Sequence, residues 1–322
     1  MIIEEMKKKI VGKNKVLVLP EGDDIRILKA AVRLHKDNLC KPLLLGDKTK
    51  ILSMAKENAL DINGLDILNP LEDKEFENNV NKMFELRKGK NSLEDCRKML
   101  SGRNYYAIML LYNGVADAAL GGATYSTADT IRPALQIIKT KPGCNIVSSC
   151  FAMLKEGSPT LIFGDCGVNI NPTSEQLCDI AISSVETARL FEVDPKVAFL
   201  SFSTKGSAKS DEVSKVQMAV EMMKEKTVDF DYDGELQFDA AFDATTGEKK
   251  APGSKVAGKA NVFIFPDLQS GNIGYKIAQR LGGYEALGPI LQGVRMPVND
   301  LSRGCNDEEV YKMAILSISQ SL

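Results

Sequence analysis

Short apolar runs recur along the chain, and each ends in small or acidic residues. They are "KVLVLPEGDD" (15–24), "KPLLLGD" (41–47), "VADAALGGATYST" (115–127), "PTLIFGDCGVN" (159–169), "KVAFLSFSTKGS" (196–207), "DAAFDATTG" (239–247) and "NVFIFPDLQSGN" (261–272). Stretches with apolar residues three and four apart separate most of them. In "TSEQLCDIAISSVETARLFE", Thr173 and Gln176 make a capping box, and Leu177, Ile180, Ala181 and Val185 share one face. "CRKMLSGRNYYAIMLLYNG" predicts a helix-rich stretch in the first half. Strands alternating with helices predict an α/β protein with mostly parallel sheets flanked by helices. In such sheets ligands bind outside the carboxyl ends of the strands, where these Gly, Asp, Ser and Thr clusters fall.

Two soft points divide the pattern. Pro142-Gly143 in "KPGCNIVSSC" (141–150) breaks helix before a new strand, and "LGGYEALGPILQG" (281–293) precedes a polar tail. They predict a first domain of 1–143 rejoined by a returning segment 289–322, and a second domain of 144–288. A length of 322 residues suits two domains.

Composition excludes several classes of function. The net charge of −2 supplies no basic field for nucleic acid. No apolar run approaches ~20 residues, and "MIIEEMKKKIVGKN" lacks the apolar core of a signal peptide. A cytoplasmic protein without a membrane or nucleic-acid partner is expected. The seven cysteines form no C-x-x-C pair, and the single histidine, His35, sits in a helical pattern as a surface residue. A zinc site or a Ser-His-Asp triad is therefore not expected, and chemistry falls to Ser, Arg, Lys, Asp, Glu or Cys. No Walker A motif is present, and "SGNIGYK" fails the dinucleotide fingerprint.

Two polar loops are candidates for a site. In "GGATYSTADTIRPALQII" (121–138), Ser126 and Thr127 start a helix with Asp129 as capping partner. Open N–H groups there attract anions, and Arg132 lies one to two turns on. An ordinary capped helix with a surface arginine fits the same pattern, and both readings stay open. In "MPVNDLSRGCNDEEVYKMAILSISQ", Asn306 is an N-cap, Glu309 sits at N3, and Val310, Met313, Ala314 and Ile318 form a buried stripe. That explains the acids Asp307, Glu308 and Glu309 structurally, but not Ser302 and Arg303, which precede the cap. A glycine beside them suits a turn where backbone and guanidinium face a ligand. "FSTKGSAKSDEVSK" (202–215) reads as a solvated loop, and Arg87 in "FELRKGK" as a solvated helix end.

An ordered set of segments carries a resemblance. "GGATYSTADTIRPALQI", "NPTSEQLCDIA", "FLSFSTKGSAKSDEVSKV", "DGELQFDAA", "GKANVFIFPDLQSGNIGYKIAQRLGG" and "LGPILQGVRMPVNDLSRG" together resemble the phosphate acetyltransferase (phosphotransacetylase) family in its short form. The resemblance implies an isocitrate-dehydrogenase-like pair of α/β domains, an active site in the interdomain cleft and a homodimer. It implies reversible transfer of an acetyl group between acetyl phosphate and coenzyme A, with phosphate as the other product. No metal and no permanently bound cofactor are implied; CoA enters as a substrate.

The family's catalytic serine and arginine fall on Ser302 and Arg303. Its base, an aspartate seven residues past the serine, falls on Glu309, a departure that leaves Asp307 as a second candidate. Family arginines linked to CoA or phosphate binding fall on Arg87 and Arg132. An acyl-cysteine route through Cys150, Cys166 or Cys305 is a lesser alternative. Two rivals remain. One is a phosphate butyryltransferase, a family without the "PVNDLSRG" tail. The other is a non-catalytic acetyl-CoA sensor, like the related domain fused to some malic enzymes.

Overall fold

Apolar runs that end in turn residues become short buried strands, and the amphipathic stretches become the helices between them. The computed structural model describes residues 2–322. Residues up to Pro142 form one unit with Val294–Leu322, and Gly143–Gly293 form the other.

The first unit begins with α1 (Ile2–Ile10), β1 (Val16–Leu19), α2 (Ile25–Lys36), β2 (Lys41–Leu45), α3 (Lys48–Glu57) and β3 (Asp66–Leu68). Asp24 and Asp47 cap α2 and α3 by accepting from the amides of Arg26 and Lys50. After α4 (Phe76–Arg87), the helix-rich stretch falls on α5 (Leu93–Leu100) and α6 (Arg103–Tyr112), before β4 (Ala118–Gly121) and α7 (Thr127–Ile137). His35 lies exposed on α2, as its pattern predicts.

The second unit holds β5 (Ser148–Leu154), β6 (Leu161–Gly164), α8 (Ser174–Leu190), β7 (Lys196–Leu200), α9 (Asp211–Met223) and β8 (Asp231–Leu236). It continues with α10 (Phe238–Phe242), α11 (Ala244–Lys250), β9 (Val262–Ile264), α12 (Leu268–Arg280) and β10 (Glu285–Gln292). Its sheet order is β10-β5-β6-β9-β7-β8; the β10–β5 and β5–β6 pairs are antiparallel and the others parallel. Phe163, Phe263 and Phe265 meet in its core, with Phe163 ring centroids 5.5 and 5.2 Å from the other two. The predicted capping box of α8 is present, and its four predicted face residues are buried.

Two expectations change here. "DAAFDATTG" is not a strand: it forms most of α10 and α11, because Asp243 caps Thr246 and the small Ala240, Ala241 and Gly247 pack inward. The strand lies just upstream as "DYDGEL", in which only Glu235 and Leu236 are buried, so no apolar run marks it. The glycine-rich point at 281–293 holds β10, paired along β5, so the returning segment starts at Val294 and not at 289.

That segment adds β11 (Val298–Asp300) and α13 (Asp307–Ser319) to the first unit. β11 runs parallel to β4 with Asp300 opposite Gly121, giving a five-stranded sheet ordered β11-β4-β1-β2-β3. Val310, Met313, Ala314 and Ile318 of α13 are buried as predicted. Tyr311 packs its ring under the guanidinium of Arg33, 3.7 Å from the ring centre, and donates its hydroxyl to Asp37. The chain fills the sheet outward from β1 to β3, then restarts on the other side of β1 with β4. Such a reversal is where loops diverge and a ligand can enter.

Candidate active site

The loop after β4 is shaped by one acid. Glu21, buried just past β1, accepts from the amides of Gly122, Ala123 and Tyr125 at 2.8, 3.0 and 3.1 Å, and from the amide and hydroxyl of Thr124. The N–H groups of 122–125 are thus consumed by the protein and do not form an anion nest. Gly122 has φ +108, and a Cβ there would lie 2.2 Å from Asp300 Oδ1 and 2.6 Å from the Leu301 amide. Ser126 is the N-cap of α7: its Oγ accepts from the Asp129 amide and donates to Asp129 Oδ2 at 2.6 Å. The amides of Thr127 and Ala128 precede the first intrahelical bond and have no backbone partner among the described residues.

The turn after β11 lies beside this loop. The Leu301 amide donates to the Gly121 carbonyl at 2.7 Å. Ser302 is exposed, and its Oγ accepts from the Gly304 amide at 3.3 Å. Arg26, in the first turn of α2, pairs with Asp24 at 2.7 Å. The same guanidinium donates to the carbonyls of Arg303, Cys305 and Ala123 at 2.8, 3.0 and 2.8 Å. A single planar fork therefore ties the two loops together. The guanidinium of Arg303 is exposed and has no hydrogen bond or ion pair among the described residues.

The three acids that follow have different employments. Glu309 Oε2 accepts from the Asn306 amide at 3.1 Å while Asn306 Oδ1 accepts from the Glu309 amide at 2.9 Å, completing the predicted capping box. Glu308 pairs with Arg33. Asp307 is exposed and has no side-chain bond among the described residues.

Arg87 and Arg132 gather around Tyr105. Arg87, at the end of α4, donates to Asn91 at 2.8 Å and to the Gln136 carbonyl at 3.5 Å, and Tyr105 donates to Gln136 Oε1 at 2.9 Å. Burial raises the Tyr105 phenol, and the charges of Arg132 and Arg87 pull it back down. Arg132 is exposed on α7 and makes no hydrogen bond or ion pair among the described residues. Ser126, Thr127 and Arg132 thus share one helix, to which Arg87 is joined through Gln136. Ser302, Arg303, Asp307 and Glu309 share the β11–α13 turn.

Sequence reasoning missed Glu21, Arg26 and Asp300. Asp300 is 1% exposed, and among the described residues its Oδ1 has no hydrogen-bond partner and the Thr130 hydroxyl beside it has none either. Burial pushes its carboxyl up to about 6, against the hydroxyls of Thr127 and Thr130, while the charge of Glu21 adds to the rise. An acid at the exit of a strand, in "LPEGDD" and "PVNDLS", is a signal that was available. The cysteines offer no ready nucleophile: burial raises the thiols of Cys150 and Cys305 to about 12 and about 11, and that of Cys166 rises as well. Among the described residues no group of His, Cys, Asp and Glu has the arrangement to hold a metal, and no helix is long and apolar enough to cross a membrane.

Comparison with known proteins adds to this geometry. The family description "Phosphate acetyl/butaryl transferase" matches residues 1–318. The phosphate acetyltransferase of Bacillus subtilis (strain 168) is 50% identical over 321 residues, covering 100% of this chain and 99% of that protein. The solved EutD phosphotransacetylase from Staphylococcus aureus is 50% identical with a TM-score of 0.92, covering 100% of this chain and 98% of that one. A phosphotransacetylase from Streptococcus pyogenes, also 50% identical, has a TM-score of 0.96 over 99% of this chain and 98% of its own. A branched-chain phosphotransacylase from Enterococcus faecalis V583 shares the fold at 18% identity, with a TM-score of 0.71 over 95% of this chain and 99% of its own. With a full-length family match and relatives at half identity along its whole length, the chain belongs to the phosphate acetyl/butaryl transferase family.

Proposed function

We propose that this chain catalyses reversible acetyl transfer between acetyl phosphate and coenzyme A. One observation carries the residue assignment: the Ser302–Arg303 turn and the start of α7 leave neighbouring parallel strands, Arg26 ties their backbones, and the Arg303 guanidinium is unpaired among the described residues. In the direction of thioester synthesis, the CoA sulfur forms a bond to the acetyl carbon. The carbon–oxygen bond to phosphate then breaks, and phosphate leaves with its electron pair. An ordinary thiol ionises near ~8.5, so a base must take its proton. We assign this to Glu309, whose cap bond occupies one carboxylate oxygen and leaves the other, with Asp307 as the second candidate.

Arg303 donates to the acyl oxygen as charge develops on it, the role in which a fixed cation contributes most. The Ser302 hydroxyl holds the thiol or the acyl phosphate by a hydrogen bond. Arg87 and Arg132 neutralise phosphate groups of acetyl phosphate or CoA, and Ser126 and Thr127 supply the open helix start beside them. CoA is a substrate here, and no acyl-enzyme or permanently bound cofactor takes part. The proposal includes a cytoplasmic homodimer; sedimentation of the purified chain tests the dimer.

The direct test is thioester formation from CoA with acetyl, propionyl and butyryl phosphates. Acetyl phosphate is expected to turn over fastest. A preference for butyryl phosphate moves the chain to the butyryl branch, and no turnover with any of them leaves a binding domain. Glu309→Gln and Asp307→Asn, assayed separately, identify the base: its loss costs about 10²-fold or more. Equal small effects remove both from that role.

A further inference from the structure

Four carboxylates are buried at or just past strand ends, and three of them are fully occupied. Glu21 holds the loop after β4. Asp165 accepts from Ser149, from the amides of Gly167, Val168 and Asn169, and from the Asn169 side chain. Glu235 accepts from Ser203, the Gly206 amide and Gln217. Asp300 alone has an orphaned oxygen, in the last position before the turn that carries Ser302 and Arg303. A buried acceptor left unmade costs stability, so its retention needs a reason.

We propose that Asp300 is a positioning residue for acetyl transfer: set between the Gly122 backbone and the first turn of α7, it fixes the spacing between Thr127 and the Ser302–Arg303 turn. This rests on the assignment of Ser302 and Arg303 above. Gly121 and Asp300 are register partners on adjacent strands, and beyond them one chain bends into α7 and the other into the turn. Asp300 is the side chain that meets both, touching the Gly122 backbone and facing the hydroxyls of Thr127 and Thr130. Around it stand Glu21 from the loop after β1, those two hydroxyls from α7, and the Leu301 amide. α13 meets β11 through the uncharged Ser317 and Gln320, both bonded to Asn299. Ionised, Asp300 attracts the α7 hydroxyls that face it; protonated, it loses acceptor capacity and the spacing loosens. Turnover therefore carries an acid limb that belongs to this residue and not to the base.

The test uses the full chain, with kcat and KM for acetyl phosphate and CoA measured from about pH 5 to 8 alongside thermal denaturation. Asp300→Asn keeps the shape and removes the ionisation. Its kcat at neutral pH should fall about tenfold to a hundredfold, with both KM values kept, the melting temperature no lower than the parent's, and the acid limb lost. Thr130→Val leaves the acid but removes a hydroxyl that holds it down, so the limb should move to higher pH. Wild-type kcat and limb in a folded Asp300→Asn overturn the proposal. If Asp300→Asn does not fold, Thr130→Val decides alone, and an unmoved limb overturns the proposal. Arg303→Ala separates the two layers: full turnover in that variant sinks the site assignment itself, whereas its loss beside a normal Asp300→Asn sinks only the role of Asp300.

Discussion

Glu21 and Asp300 are both buried acids beside the same pair of glycines, yet they live differently. Glu21 gathers four amides and a hydroxyl from a loop about a hundred residues away and freezes that loop. Asp300 is packed as tightly but keeps an unbonded oxygen, and its carboxyl is pushed up to about 6. In the second unit Glu235 repeats the first pattern. Burial raises its carboxyl, and the bonds from Gly206, Ser203 and Gln217 outweigh that and hold it below its ordinary value. The contrast separates an acid whose partners are all supplied, which builds a scaffold, from one left short at the edge of the chemistry.

The largest break in that comparison comes from Glu21→Ala. Removing one acceptor strands several buried donors, so urea unfolding should show a loss of about 3–5 kcal/mol, with activity lost in parallel. A mild effect would mean that water replaces the carboxylate and that the two acids are alike. Gly122→Ala should cost about 2–3 kcal/mol, because a Cβ at φ +108 is strained and runs into Asp300 and Leu301.

Asp300→Asn sharpens the contrast by acting in the opposite direction. The folded carboxyl sits at about 6 against 3.8 as its ordinary value, so the native state holds a proton that the unfolded chain has released. The stability this supplies is present below about 4 and is lost as pH rises through about 6. At neutral pH the ionised acid is a burden, and Asp300→Asn should be as stable as the parent or more so, by about 1–3 kcal/mol at most. Melting temperatures at two pH values read this directly; a variant less stable than the parent at neutral pH contradicts it.

Arg26→Lys keeps the charge but loses the fork that reaches Ala123, Arg303 and Cys305, with an expected cost of about 1–2 kcal/mol. Glu308→Gln should change stability by less than about 1 kcal/mol, since the pair with Arg33 is exposed.

Much of this was legible in the sequence wherever partners lie within a turn of each other. The capping boxes Thr173–Gln176 and Asn306–Glu309, the buried stripe of α13 and the helix start at Ser126 all follow from spacings of three and four. The strand β8 was not, because its half-buried polar side chains hide the alternation that an edge strand would show. The scaffold of the site was not either. Glu21 and Gly122 are 101 positions apart, and Arg26 and Arg303 are 277 apart, so no local pattern can join them. The acid at 309 was visible, but its use as a cap partner and its use as a base draw on the same residue type at the same place.

Arg303, as the donor to the acyl oxygen, is the residue on which acetyl transfer at this site depends most directly. The decisive measurement is kcat/KM for acetyl-CoA formation from acetyl phosphate in Arg303→Ala, taken with its melting temperature. Because the side chain is exposed and unpaired among the described residues, folding should be unchanged while kcat/KM falls 10²–10³-fold, about 2.7–4 kcal/mol of transition-state stabilisation. A variant that folds normally and transfers acetyl groups at the parent rate would contradict the account.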